Sequence, residues 1–214
     1  MDIQENLLEI ITLSYKDVEE QIKTYPLTFD KTKINIVEWQ LKLPVFVTSF
    51  YNYLKSNGSI PNQNDYWLFY VAENKAYLTS LNLPEEEKKG VRARVFRTYP
   101  SLVRDLHLGL YLKNNHLFRS VFYNELIDVE YGIDIIVEND SGTKFGLNLF
   151  IGTKRANDAR RVKQHRLKKS LGIICLDFPL ARDKRKICGD FFLYADDEIQ
   201  KKVEEIQNYK NAKF

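Results

Sequence analysis

Apolar residues recur at helical spacing in the first half of the chain and at strand spacing in much of the second. Ile3, Leu7, Ile10 and Ile11, followed by Ser14 and Tyr15, approximate one helical face, which Pro26 and the polar cluster at 30–33 interrupt. A second helix is predicted over 44–55, opened by Pro44 where a first turn tolerates proline and stopped by Ser56, Asn57 and Gly58. A third is predicted over 65–81. Its aromatics, Tyr66, Trp67, Phe69, Tyr70 and Tyr77, fall at the spacing of a packed core rather than a base-stacking platform. Pro84 followed by three glutamates predicts a helix start with negative charge at the positive end of the dipole, running into Arg92, Arg94 and Arg97. Beyond Tyr99 and Pro100, the placing of Leu102, Val103, Leu106 and Leu110 predicts a separate helix over 101–113, ending at Asn114 and Asn115.

Three β-prone runs follow at 120–127, 133–137 and 144–151. Tyr131-Gly132 separates the first two, and Asn139-Asp140-Ser141-Gly142, a strong hairpin turn, separates the last two. An antiparallel meander is the simplest pairing. Residues 154–170 then read as a helix, 172–178 as a buried strand closed by Pro179, 191–194 as a short strand and 196–209 as an amphipathic helix. The expected fold class is α/β with a mixed sheet of α+β character, divided into a helical N-terminal region, 1–95, and an α/β domain, 96–214.

The chain has 214 residues and 44% hydrophobic content, enough for an ordinary globular core. No apolar run approaches the roughly 18 residues of a membrane span, and the opening residues lack the basic-then-apolar layout of an export signal, so a cytoplasmic protein without a membrane partner is expected. Cys175 and Cys188 have neither CxxC spacing nor a neighbouring histidine pair and read as free thiols. The net charge of +3 is unevenly spread: residues 1–95 carry −2 and residues 96–214 carry +5. Most of that excess comes from 154–170, where Lys154, Arg155, Arg160, Arg161, Lys163, Arg166, Lys168 and Lys169 face one acid, Asp158. Like charges at i,i+4 cost a helix a few tenths of a kcal/mol per pair, and phosphate groups would offset that cost. Nucleic acid is therefore the expected partner, through Arg155, Arg160, Arg161, Lys163, Arg166, Lys168 and Lys169. Arg182, Lys184, Arg185 and Lys186 read as a second basic loop that extends the track.

In the strand 144–151, Phe145, Leu147, Leu149 and Ile151 alternate with Gly146, Asn148 and Phe150, and in the preceding strand Asp134 is expected opposite Ile133, Ile135 and Val137. An acid at that place is either a metal ligand on a rigid scaffold or a solvent-facing aspartate on a half-buried hairpin. The element order over 99–179, with Gly132-Ile133-Asp134-Ile135-Ile136, resembles the core of the PD-(D/E)XK nuclease superfamily. That resemblance implies a restriction-endonuclease-like α-β-β-β-α-β core, in which Asp134 matches the acid that binds magnesium at the second strand. It also implies a second acid on the third strand and a lysine two residues later. Here those positions are Asn148 and Phe150, a departure from the family pattern. Lys154 has the parity of Asn148 but lies six residues on, about 20 Å along an extended strand at ~3.3 Å per residue, unless the chain bends at Gly152 and Thr153. Asp105 in the leading helix and Glu130 are reserve ligands.

The resemblance thus implies a magnesium-dependent endonuclease, with manganese able to substitute, in which Asp134, Asn148 and Lys154 form the catalytic set and Asp134 and Asp105 hold the metal. Hard oxygen ligands suit that ion, which offsets charge on the phosphate. His107 and His165 offer a general-base reading, but a helix hydrogen bond and a basic face explain them as well. Two other classes stand beside the nuclease: a catalytically inactive nuclease-like binding or scaffolding subunit, and a protein-interaction module. Residues 1–95 carry no recognisable chemistry and are a candidate surface for a homodimer or partner subunit.

Overall fold

A computed structural model gives the architecture and describes residues 5–151, 173–181 and 183–209. Its longest element is one helix, Glu85–Asn114, that runs through Pro100 where the sequence predicts two. Thirty residues at ~1.5 Å each make it about 45 Å long. Proline cannot donate to the carbonyl four residues back, which leaves the Phe96 carbonyl without its helical partner. The buried side chain of Gln63 supplies the missing donor, with Nε2 at 3.0 Å from the Phe96 oxygen. Gln63 is itself anchored, since its Oε1 accepts from the Thr28 N–H at 2.8 Å.

We number the helices α1 (Leu7–Ile10), α2 (Tyr15–Ile22), α3 (Asn35–Trp39), α4 (Phe46–Asn57), α5 (Gln63–Glu73), α6 (Lys75–Ser80), α7 (Glu85–Asn114) and α8 (Asp196–Gln207). Local chemistry explains several boundaries. Ser14 and Asp17 form a reciprocal capping box that starts α2 afresh, so the first apolar stretch is two helices rather than one. Gly58, at φ 65°, ends α4 as its sequence predicts. The Asn62 side chain caps α5, and the expected single helix 65–81 is broken at Asn74. Tyr66 and Tyr70 are fully buried; the Tyr66 ring packs against Phe50 and Tyr99, so these aromatics are core.

The strands are β1 (Ser120–Phe122), β2 (Ile135–Glu138), β3 (Lys144–Ile151), β4 (Ile174–Leu180), β5 (Arg185–Cys188) and β6 (Phe191–Tyr194). The first four form a mixed sheet in the order β1-β2-β3-β4. β1, β2 and β3 are an antiparallel meander, with Ile135 opposite Leu147, and β4 pairs parallel to β3, with Asn148 opposite Asp177. The protein is thus a mixed α/β fold. β4 continues through Pro179 to Leu180, which an edge strand permits. β5 and β6 make a hairpin the sequence reading missed, because it took 182–186 as a loop.

One sheet face packs on the helices: Ile135, Val137, Phe145, Leu147 and Leu149 share a core with Leu102, Val103 and Leu106 of α7. That core also takes residues from α1, α2, α4 and α5, so α7 is buttressed on both its N-terminal and C-terminal halves. The opposite face carries a smaller cluster of Ile127, Ile133 and Ile136.

Candidate functional site

Asp134 sits where strand alternation fails. Gly132, at φ 64°, ends a π-helical turn over Ile127–Tyr131 and swings the chain toward β2. Ile133 then lies against Gly146, where an added Cβ would stand 3.0 Å from it, and joins Ile136, while Ile135 enters the main core. Ile133 and Ile135 therefore do not share a face, contrary to the expected pattern, and Asp134 occupies the bend between them. Its backbone N–H donates to the Leu147 carbonyl at 3.0 Å, and its carboxylate accepts the Leu149 N–H. The acid laces the start of β2 to the far half of β3.

Helix α7 carries a second acid in its buried stretch. Arg104 and Asp105 fall within its apolar stretch, and both are buried or nearly so, at 5% and 14% side-chain exposure. Arg104 Nε lies 3.2 Å from an Asp105 oxygen, and its guanidinium is 5.9 Å from the centre of the Tyr194 ring. Tyr194 on β6 in turn donates its hydroxyl to the Phe178 carbonyl at 2.9 Å. Burial pushes the Asp105 carboxyl up to about 6, against the downward pull of Arg104, while the charge of Asp128 adds to the rise. Burial disfavours the Arg104 charge, yet Asp105, then Tyr194 and Asp134, hold it above the ordinary arginine value. Tyr123, just beyond β1, is raised by burial first and then by Asp105, Asp128 and Asp134. Its ring lies 5.0 Å from that of Tyr51 on α4. Asp105, Asp128 and Asp134 thus act electrostatically on a buried region that holds Arg104, Tyr51, Tyr123 and Tyr194.

Of the residues expected at a catalytic centre, Asp134 and Asp105 both act electrostatically on the buried Arg104 and Tyr123. Asn148 alternates with Leu147 and Leu149, whose side chains fill the α7-facing core; its Nδ2 is 3.4 Å from the Leu176 carbonyl. Phe150 is opposite Pro179. Glu130 is exposed on the π turn. Lys154 and the basic residues Arg155, Arg160, Arg161, Lys163, Arg166, Lys168 and Lys169 lie outside the described residues, as do His165 and Arg182. The rest of the second basic loop is not a free track. Lys184 pairs with Glu198 at 2.9 Å, Lys186 pairs with Glu19 at 2.8 Å, and the Arg185 guanidinium lies 4.0 Å from the centre of the Phe192 ring.

No family model, curated protein or solved structure matches this chain. The site must therefore be read from its own chemistry. His107 is fully buried, with Nε2 at 2.8 Å from Glu19, and Glu19 also takes Lys186. The bond to His107 holds the Glu19 carboxyl down near 2, burial opposing and Lys186 assisting. This triad ties α2 and β5 to α7 and explains His107 as a structural group. Asp128 and Tyr194 were missed by the sequence reading, Asp128 because a single acid on a π turn has no periodic signature. Arg104 left a usable trace: a charged pair inside an otherwise apolar helical run signals buried charge.

The carboxylate oxygens of Asp105 and Asp134 are the hard donors that magnesium prefers. Asp105 pairs with the Arg104 guanidinium, and Asp134 accepts from the Leu149 N–H. Among the described residues, no group of three or more His, Cys, Asp or Glu side chains is arranged to hold a metal ion. Among those residues, too, no helix is long and apolar enough to cross a membrane.

Proposed function

We propose that this chain is a nucleic-acid-binding protein, with DNA as the first candidate, built on a restriction-endonuclease-like core. The observation that carries this reading is the sheet: an antiparallel meander led by the helix bearing Asp105, with Asp134 at the entry to β2 and β4 added parallel to β3. The one-sided charge of residues 154–170 supports a phosphate-rich partner, and Arg155, Arg160, Arg161, Lys163, Arg166, Lys168 and Lys169 would provide the contacts. In the hydrolytic form of this reading, magnesium or manganese at Asp134 and Asp105 would offset phosphate charge, with Asn148 and Lys154 completing the set. The geometry of the described residues favours a second form, in which the core binds without cutting: Arg104 already engages Asp105, and Asn148 and Phe150 stand where an acid and a lysine would be needed. Exposed Phe29, Trp39 and Leu68 on the helical region are apolar candidates for a homodimer or partner-subunit contact.

Fluorescence anisotropy with a labelled DNA duplex, titrated with salt in EDTA, tests the binding. Affinity should fall steeply with salt and fall further in an Arg160→Ala/Arg161→Ala variant, while Asp134→Ala leaves it unchanged. Salt-insensitive binding, or none to DNA or RNA, would sink the proposal and leave a protein-interaction module. Magnesium-dependent cutting that is lost in EDTA and in Asp134→Ala would select the hydrolytic form.

A further inference from the structure

We propose that the cleft between α5, α6 and the start of α7 binds a small aliphatic carboxylate, its tail on the apolar floor and its head at Lys75. The cleft offers about 340 Å³, at the lower end of the ~300–1,000 Å³ typical of small-molecule sites. At ~30 Å³ for each water-sized group, that space takes about ten non-hydrogen atoms, the size of octanoate. The site shares no residue with the nucleic-acid reading and stands apart from it.

Each helix contributes one ridge. Trp67 and Val71 of α5 are four residues apart, Lys75, Leu78 and Thr79 of α6 are three and four apart, and Lys88 and Val91 of α7 are three apart, so each set lies on one helix face. Trp67, Val71 and Leu78 are only partly buried, at the margin of the main core, while Val91 is buried. The chain leaves this apolar surface incompletely covered: among the described helices, α6 alone has no buried residue. A methylene chain laid in the cleft would remove apolar surface from water on both sides of the contact.

The charge of the lining selects the head group. Among the described residues, two lysines and no acid line the cleft. Lys88 is already paired with Glu85 at 2.7 Å, whereas Lys75 has no ion pair among the described residues. A lysine stem can lie along an apolar wall with its ammonium in water at the mouth, and Thr79, one turn on along the same face, offers a hydroxyl donor to the second carboxylate oxygen. An aliphatic amine would meet a like charge at that place.

The chain has two tryptophans, and Trp39 is 76% exposed, so Trp39→Phe leaves Trp67 as the sole indole reporter. Sodium octanoate titrated into the full-length Trp39→Phe protein should change the Trp67 emission saturably, with half-saturation at about 1 mM or below. Sodium acetate, which lacks the tail, should not, and octylammonium chloride should bind about fivefold more weakly or worse. Lys75→Met keeps an apolar stem and removes the charge; it should weaken octanoate about three- to fivefold and erase its advantage over octylammonium. Leu78→Gln, on the helix that buries nothing, should weaken both ligands. Emission that does not saturate would overturn the proposal, as would octylammonium binding that equals octanoate binding, or a Lys75→Met that binds octanoate like its parent. Should a variant fail to fold, calorimetry of octanoate against octylammonium on the unaltered chain decides: a preference for the anion supports the site, and equal or absent binding overturns it.

Discussion

Pro100 survives inside α7 because Gln63, from another helix, donates to the carbonyl that proline orphans. Gln63→Leu removes that donor from a site where no water reaches, and an unsatisfied buried carbonyl costs about 1–3 kcal/mol. It also removes the acceptor of the Thr28 N–H, which water can replace because Thr28 is exposed, so the total stays at about 1–3 kcal/mol. The cause can be isolated by a double-mutant cycle. Pro100→Ala gives position 100 an N–H that reaches the Phe96 carbonyl directly, so in that background Gln63→Leu should cost less by about 1–3 kcal/mol. Urea unfolding followed by circular dichroism gives all four stabilities, provided that the transitions are two-state and the slopes agree. A coupling below about 0.5 kcal/mol would refute the reasoning, for it would mean that the two residues act independently and that the Phe96 carbonyl is satisfied in some other way.

Gly189, in the turn of the β5–β6 hairpin, has φ 56°, and a Cβ there would meet the Ile22 and Lys23 carbonyl oxygens at 2.9 and 3.0 Å. Gly189→Ala should destabilise by about 2–4 kcal/mol, against roughly 1 kcal/mol for Gly58→Ala, which meets nothing, and chemical denaturation that ranks them equally would contradict the contact. The folded-state depression of Glu19 from 4.5 to about 2 means that its ionised form stabilises the protein above about pH 4.5, and that this contribution fades as pH falls through 2. After allowance for solvent screening, Glu19→Gln should lose about 1–2 kcal/mol at pH 7 and converge with wild type toward pH 2; a gap that stays constant with pH would show that the carboxylate charge is not the cause.

Features set by local chemistry could be read from the sequence. β3 spans Lys144–Ile151 as its alternation predicts, and α4 stops at Gly58 because only a residue tolerant of positive φ ends a helix in that way. Features set by distant partners could not. The rule that proline ends a helix fails at Pro100 because the compensating donor lies 37 residues earlier in the chain. Lys184 and Lys186 read as a loose basic track because Glu198 and Glu19, which neutralise them, are remote in sequence. At the candidate site, Asp134 and Asp105 were singled out through element order, but Arg104, the partner of Asp105, needed burial and distance to be recognised.

The borders of the four-stranded sheet bear on how this protein meets copies of itself. Along β1, the outward carbonyl of Val121 accepts from the Asn6 side chain, and Tyr123 exchanges bonds with Asn6 and Leu7, so that border is already sealed by the preceding segment. Along β4, Pro179 deletes one of the N–H groups that an incoming strand would need. Strand-by-strand polymerisation, the usual hazard of an open sheet, is thus blocked at one border and interrupted at the other. A crowded or partly heated solution of this protein should clump through its helical side before it forms cross-β fibrils.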